Sequence, residues 1–228
     1  MIDIHTHILP DMDDGARSIE EAIKMTELLW QQGVRGAVCT PHFDPSQIAL
    51  DEFINRRTIA MSLMKEAKIP LFPASEIYLH EFLFYYNSLE AVTINNTRYL
   101  LLELPFDKKW NNKIYEMIGN LILHFDIIPI IAHIERYPAI RRKHIERLRD
   151  IGCLMQLNTS SVLDKKLKRK ALNYIGSGLI DVLGSDCHNL SHRPPQIIKP
   201  IEEMRKYIGK ERCDLLIRQS DRLIEGLD

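Results

Sequence analysis

Residues 126–133 read DIIPIIAH, and this short run decides the fold. A strand with one wet face alternates apolar and polar side chains. Here five of the six residues from Ile127 to Ala132 are aliphatic and the other is proline, so both faces are expected to be buried. Burial on both faces is the condition of a parallel strand sandwiched between helices. Similar runs recur on either side: MIDIH at 1–5, GAVCTP at 36–41, IPLFPASE at 69–76, RYLLLELP at 98–105, CLMQLN at 153–158 and LIDVLGSD at 179–186.

Helical patterns separate them. SIEEAIKMTELLWQQG at 18–33 has apolar residues at helical spacing, a capping-box pair in Ser18 and Glu21, and Gly33 as a stop. Further helices are expected at about 50–67, 110–124, 138–150, 164–176 and 196–225, while 77–97 reads as a helix turn plus loop. Seven strands alternating with helices predict an α/β protein with a parallel sheet, because parallel neighbours need helical crossovers. A barrel and an open doubly wound sheet both satisfy the pattern. The first strand is followed by His5, Thr6 and His7, not by a glycine-rich phosphate loop. The expectation is a TIM-like barrel of seven strands in one domain spanning 1–228.

Composition narrows the class. Hydrophobic residues make up 45% and charged residues 27%, with a formal net charge of −1, so no nucleic-acid partner is expected. Cys39, Cys153, Cys187 and Cys213 show no CxxC or disulfide-like spacing, which fits a reducing cytosol. The opening residues already read as a strand, leaving no room for a signal peptide, and no apolar run reaches the ~20 residues of a membrane span. A cytoplasmic location without membrane insertion is expected, with a homo-oligomer left open.

The polar residues fall at strand ends. His5 and His7 end the first strand, with Asp13 and Asp14 just beyond. His42 ends the second, Glu76 the third, Glu103 the fourth, His133 the fifth, Asn158 the sixth, and Asp186 and His188 the seventh. In a barrel these ends converge on one mouth. A charge inside an apolar strand, as Glu103 in LLLELP, is costly unless paired or bound to metal. Any one histidine is better read as structural, and His80, His124 and His144 are read so; His192 also lies off the strand ends. Five histidines and four carboxylates at one rim are better read as a metal site. Nine ligands exceed the four to six that one ion takes, so two or three divalent ions with a bridging carboxylate are expected. Three such ions against four carboxylates leave the cluster net positive, which suits phosphoester hydrolysis, with amide or amine hydrolysis as the competitor. Arg136 and Arg193 follow His133 and His188 on rim loops, where guanidinium groups can grip phosphate.

Cys187 and Arg193 also match the C-x5-R spacing of thiolate phosphatases. The intervening HNLSH has no glycine to wrap an anion, and Cys187 lies between two proposed ligands, so it is expected to point into the wall.

With these residues assembled, the sequence resembles the polymerase-and-histidinol-phosphatase (PHP) superfamily, and within it the CpsB/CapC family of bacterial tyrosine-protein phosphatases from capsule and exopolysaccharide operons. DIHTHILPDMDDGARS, TPHF, SEIYL, LLELP, AHIERYP, QLNTSS and GSDCHN…RPP carry the resemblance in order along most of the chain. It implies a distorted (β/α)7 barrel of the PHP type and a metal-dependent phosphoric monoester hydrolase. Three divalent ions are implied, commonly manganese, with iron, magnesium or zinc as alternatives. One ion would take His5, His7, Glu76 and Asp186. A second would share Glu76 and add Glu103 and His133, and a third would take Asp14, His42 and His188. The resemblance further implies a hydroxide attacking phosphorus in line, Arg136 and Arg193 as catalytic residues, and the phosphotyrosine-bearing tail of a bacterial tyrosine kinase as partner.

Three positions depart from the family pattern: Ile134 stands for proline, and Asp11 and Ala74 for glycine. None removes a ligand. Histidinol-phosphate phosphatases of the same superfamily usually carry histidine where Asp14 and Glu103 stand, so the carboxylates favour the tyrosine-phosphatase branch. A PHP-type exonuclease lacks support, since no basic stripe or aromatic platform is evident. A non-catalytic scaffold retaining the fold is the alternative of a different class; an intact ligand set argues against it.

Overall fold

The computed structural model describes residues 1–106 and 110–225. The single domain expected over 1–228 thus includes 107–109 and 226–228, which lie outside the described residues. The strands are β1 (Ile2–Thr6), β2 (Gly36–Cys39), β3 (His42–Phe43), β4 (Leu71–Pro73), β5 (Glu76–Tyr78), β6 (Tyr99–Glu103), β7 (Ile128–Ile131), β8 (Leu154–Asn158) and β9 (Val182–Gly184). The helices are α1 (Ile19–Gln31), α2 (Leu50–Leu63), α3 (Asn112–Phe125), α4 (Arg142–Asp150), α5 (Lys168–Gly176), α6 (Ile198–Ile208) and α7 (Lys210–Arg222).

Every strand pair is parallel. Six strands form a curled sheet in the order β3-β5-β6-β7-β8-β9, and three form a second sheet, β1-β2-β4. Backbone bonds also join β1 to the segment after β9: His7 N–H donates to Cys187 O at 2.9 Å and Asp186 N–H to His5 O at 2.8 Å.

The two-faced burial expected of the apolar runs is present. In β6, Leu100 and Leu102 face the large core under the helices, while Tyr99 and Leu101 enter a smaller core with Ile4, Val38, Ile130 and Val182. Period two then places Glu103 on the Tyr99 and Leu101 face, one step past the apolar layer.

Three expectations need correction. The second and third strands are each interrupted, at Thr40 and Pro41 and at Ala74 and Ser75, so each continues as a short separate strand, β3 or β5. The helix expected over 196–225 is two helices, broken at Gly209, whose φ of +83° no helix accommodates. The segment 77–97 opens in β5 and continues as 3₁₀ turns.

The α1 start is half the expected capping box. Ser18 Oγ accepts from Glu21 N–H at 3.2 Å, but the Glu21 carboxylate accepts from Arg17 N–H and, across the rim, from Leu190 N–H. Gly33 closes the helix at φ +77°, as its position requires.

Candidate metal centre

The two sheets together bring all nine sequence-identified ligand candidates to one rim. Glu76, at the head of β5, is their hub and is 1% exposed. Its Oε1 lies 2.7 Å from His133 Nε2, and its Oε2 lies 3.1 Å from His5 Nε2, 3.2 Å from His7 Nε2 and 3.2 Å from His42 Nδ1. Three groups have ligand atoms within 4.8 Å of one another: His5, His7, Glu76 and Asp186; His7, Asp14, His42 and His188; and His42, Glu76 and Glu103. His133 Nε2 stands 3.4 Å from Glu103 Oε1 beside the last group.

Backbone conformation is bent to this purpose. His133 and Asp186 occupy left-handed φ of +31° and +56°, which non-glycine residues rarely adopt. Asp11, in the loop after β1, also has a left-handed φ of +56°. Two glycines let the chain approach closely. A Cβ on Gly184 would lie 2.5 Å from His5 Cβ, and one on Gly15 would lie 2.2 Å from His7 O.

Outer partners fix the tautomers of three imidazoles, those of His5, His7 and His188. Gln156 Oε1 accepts from the His133 backbone N–H at 2.6 Å, so it is an acceptor, and His5 Nδ1, 3.2 Å away, must carry the proton. His7 Nδ1 likewise donates to Asp13 Oδ2 at 2.7 Å, and His188 Nδ1 to Asp186 O at 3.0 Å. Each leaves Nε2 facing the cluster, as a metal ligand requires. Asp13 also accepts from His42 N–H at 2.8 Å, so one carboxylate positions two imidazoles. Asp13→Asn should cut metal affinity and activity about 10-fold to 100-fold without loss of fold, checked by metal titration and circular dichroism.

Charge balance tests whether a cation fits. Burial disfavours charge here, yet the imidazoles around Glu76 hold its carboxyl well below the usual carboxylate range. Two arginines pair with Asp186 from the solvent side, and deeper in the cluster the imidazoles face the carboxylates. Against burial, Asp13 and Glu76 push His7 up to about 10, and Glu76 and Glu103 push His133 up to about 9. Asp186 Oδ1 and His188 Nε2 are buried without a well-directed hydrogen bond. Positive charge is therefore demanded at this point, and divalent ions with imidazole and carboxylate ligands meet the demand.

Both arginines sit at the mouth, about one-third exposed. Arg136 Nη1 donates to Asp186 Oδ2 at 3.0 Å, and Arg193 Nη2 lies 2.6 Å from Asp186 Oδ1. A cleft of about 210 Å³ opens beside them, lined also by Asn158, Ser160 and His192. Asn158 Nδ2 donates to Asp186 Oδ2 at 2.6 Å, so its place at a strand end reflects holding a carboxylate.

Sequence reasoning missed three contributors. Gln156 carried the same signal as Glu103, a polar residue inside an apolar strand. Asp13 stood beside a proposed ligand. Phe106 carried no signal: it is 38% exposed at the mouth, stacked 5.6 Å from the His133 ring, with the Arg136 guanidinium 5.4 Å over its face.

Cys187 is buried, and burial raises its thiol pKa well above the ordinary value. All four cysteines are free and buried. Cys187→Ser should retain more than about half of wild-type activity, and iodoacetamide at pH 7.5 should leave the native enzyme active while a chelator silences it.

A model of the family described as "Capsular polysaccharide synthesis, CpsB/CapC" matches residues 1–225. The chain belongs to the CpsB/CapC family. Among CpsB/CapC relatives, "Tyrosine-protein phosphatase CpsB" of Streptococcus pneumoniae is 32% identical over 240 residues, covering 98% of each chain. "Tyrosine-protein phosphatase YwqE" of Bacillus subtilis is 29% identical over 247 residues, covering 99% of this chain and 92% of its own. A solved structure described under YwqE and CpsB as "unique metal-dependent tyrosine phosphatases" superposes with a TM-score of 0.84 at 28% identity, covering 100% of this chain and 96% of that one. No helix among the described residues is long and apolar enough to cross a membrane.

Proposed function

We propose that this CpsB/CapC chain is a metal-dependent protein-tyrosine phosphatase. Its substrate would be a phosphotyrosine-bearing tail of a bacterial tyrosine kinase controlling capsular or exopolysaccharide synthesis in the cytoplasm. One domain over 1–228, a distorted (β/α)7 barrel of the PHP type, would carry the site. The observation that carries the reading is the convergence of five histidines and four carboxylates on Glu76 and Asp186, with two arginines at the opening. Three groupings of donors support three divalent ions, with manganese favoured over iron, magnesium or zinc.

His5, His7, Glu76 and Asp186 would hold one ion; Glu76, Glu103 and His133 a second; and Asp14, His42 and His188 a third. Divalent ions held there supply Lewis-acid polarisation of phosphoryl oxygens and acidify water into a nucleophile at neutral pH. Arg136 and Arg193 add the protein's own contribution. Already poised on the two Asp186 oxygens, they can turn donors toward equatorial phosphoryl oxygens as charge develops. Phe106 offers an apolar face against which an aryl leaving group can lie. A phenolate, with pKa near ~10, departs without a strong general acid.

The test compares kcat/KM for a phosphotyrosine peptide and for histidinol phosphate on manganese-loaded and chelated protein. Metal-dependent preference for the peptide is expected. Faster turnover of histidinol phosphate would transfer the chain to that activity, and cleavage of neither ester by loaded protein would favour a scaffold.

A further inference from the structure

A second cleft, of about 690 Å³, lies outside the metal centre between the start of α4 and the start of α5. Arg141, Arg142, Lys166, Arg169 and Lys170 line it, and no carboxylate does. Arg142 pairs with Glu146 Oε1 at 2.7 Å, and the buried Glu135 acts on Lys170 without an ion pair. The Arg141 guanidinium reaches only the carbonyls of Pro138 and Ile140, and Lys170 Nζ, half-buried, donates to Tyr137 O at 2.7 Å. Lys166 and Arg169 make no ion pair among the described residues. Neither helix has an acidic residue in its first turn, where the helix dipole favours one, so these cations are placed against local stability.

The cleft lies close to the catalytic mouth along the chain. Arg136 at the mouth and Arg141 in the cleft are five residues apart, so their Cα atoms are at most ~18 Å apart. The two clefts also share one segment, since Asp164 and Leu167 line the first and Lys166 and Arg169 the second. We propose that this basic cleft is a docking site for an anionic stretch of the substrate peptide, engaged by acidic or phosphorylated residues about five positions from the phosphotyrosine being cleaved. The site rests on the phosphatase reading for the identity of the substrate, and on its own charge and placement for the anion. Tethering by the first group raises the effective concentration of the second, so modest ion pairs suffice for selectivity.

The test uses the full, manganese-loaded chain and its Lys166→Ala/Arg169→Ala double variant. The substrates are p-nitrophenyl phosphate, a neutral phosphotyrosine peptide, and the same peptide with two glutamates five residues away. KM for the acidic peptide should be about fivefold to tenfold below that for the neutral one, and the advantage should vanish in the variant and in ~0.5 M salt. Turnover of p-nitrophenyl phosphate should be the same in both proteins. A labelled, non-phosphorylated acidic peptide followed by fluorescence anisotropy should bind wild type and not the variant, a readout independent of catalysis. Binding without hydrolysis of any ester would uphold the docking site and remove the phosphatase reading. Equal KM values for the two peptides, a preference surviving in the variant, or tighter binding of ATP than of the acidic peptide would overturn the docking site.

Discussion

Replacing Glu76 with glutamine should lower kcat/KM on an aryl phosphate by about 10³-fold or more, some 4 kcal/mol of barrier. The substitution keeps the volume, so the fold should survive. It deletes a charge that stands within 3.2 Å of His5, His7, His42 and His133, and it turns one acceptor oxygen into a donor facing imidazoles. The two Glu76 oxygens thus touch four of the proposed ligands. Metal content after dialysis should fall with activity, as read by elemental analysis beside circular dichroism. Retained metal with lost activity would assign Glu76 to chemistry alone, and retained activity would remove it from the centre.

Arg193→Ala should reduce kcat/KM by about 10²-fold to 10³-fold while leaving metal content near wild type. The guanidinium lies against Asp186 from the solvent side, so removing it uncovers that carboxylate without displacing any imidazole. Arg193→Lys should recover little, because an ammonium is a single point charge and cannot span two phosphoryl oxygens. Arg136→Ala should show the same pattern, softened where Phe106 keeps its place. Single-turnover rates on metal-loaded variants separate this from altered loading; a parallel fall in bound metal would make Arg193 a structural counter-charge.

Much of this was legible because two signals are local. β6 and β7 announce themselves by aliphatic runs that only two-sided burial explains, and Glu103 stands out within one of them. The breaks at Thr40 and Pro41 and at Ala74 and Ser75 were not legible, because each interrupted strand reads as one continuous apolar segment. They arise where the chain passes from the three-stranded sheet to the six-stranded one and presents His42 and Glu76, a demand of the site rather than of propensity. Gly209 was a visible breaker inside a long helical pattern. The grouping of ligands has no local signature at all: it depends on which strand ends meet, and Phe106 and the basic cleft depend on the same assembly.

The link between β1 and the segment after β9 carries a consequence for the order of events during synthesis. His5 and His7 emerge from the ribosome about 180 residues ahead of Asp186 and His188. The backbone bonds His7 N–H to Cys187 O and Asp186 N–H to His5 O form only after that. A nascent chain therefore lacks the full set of donors, and metal capture is a late event that reports a finished fold instead of nucleating it. Any chemistry that needs all nine donors waits for the segment after β9.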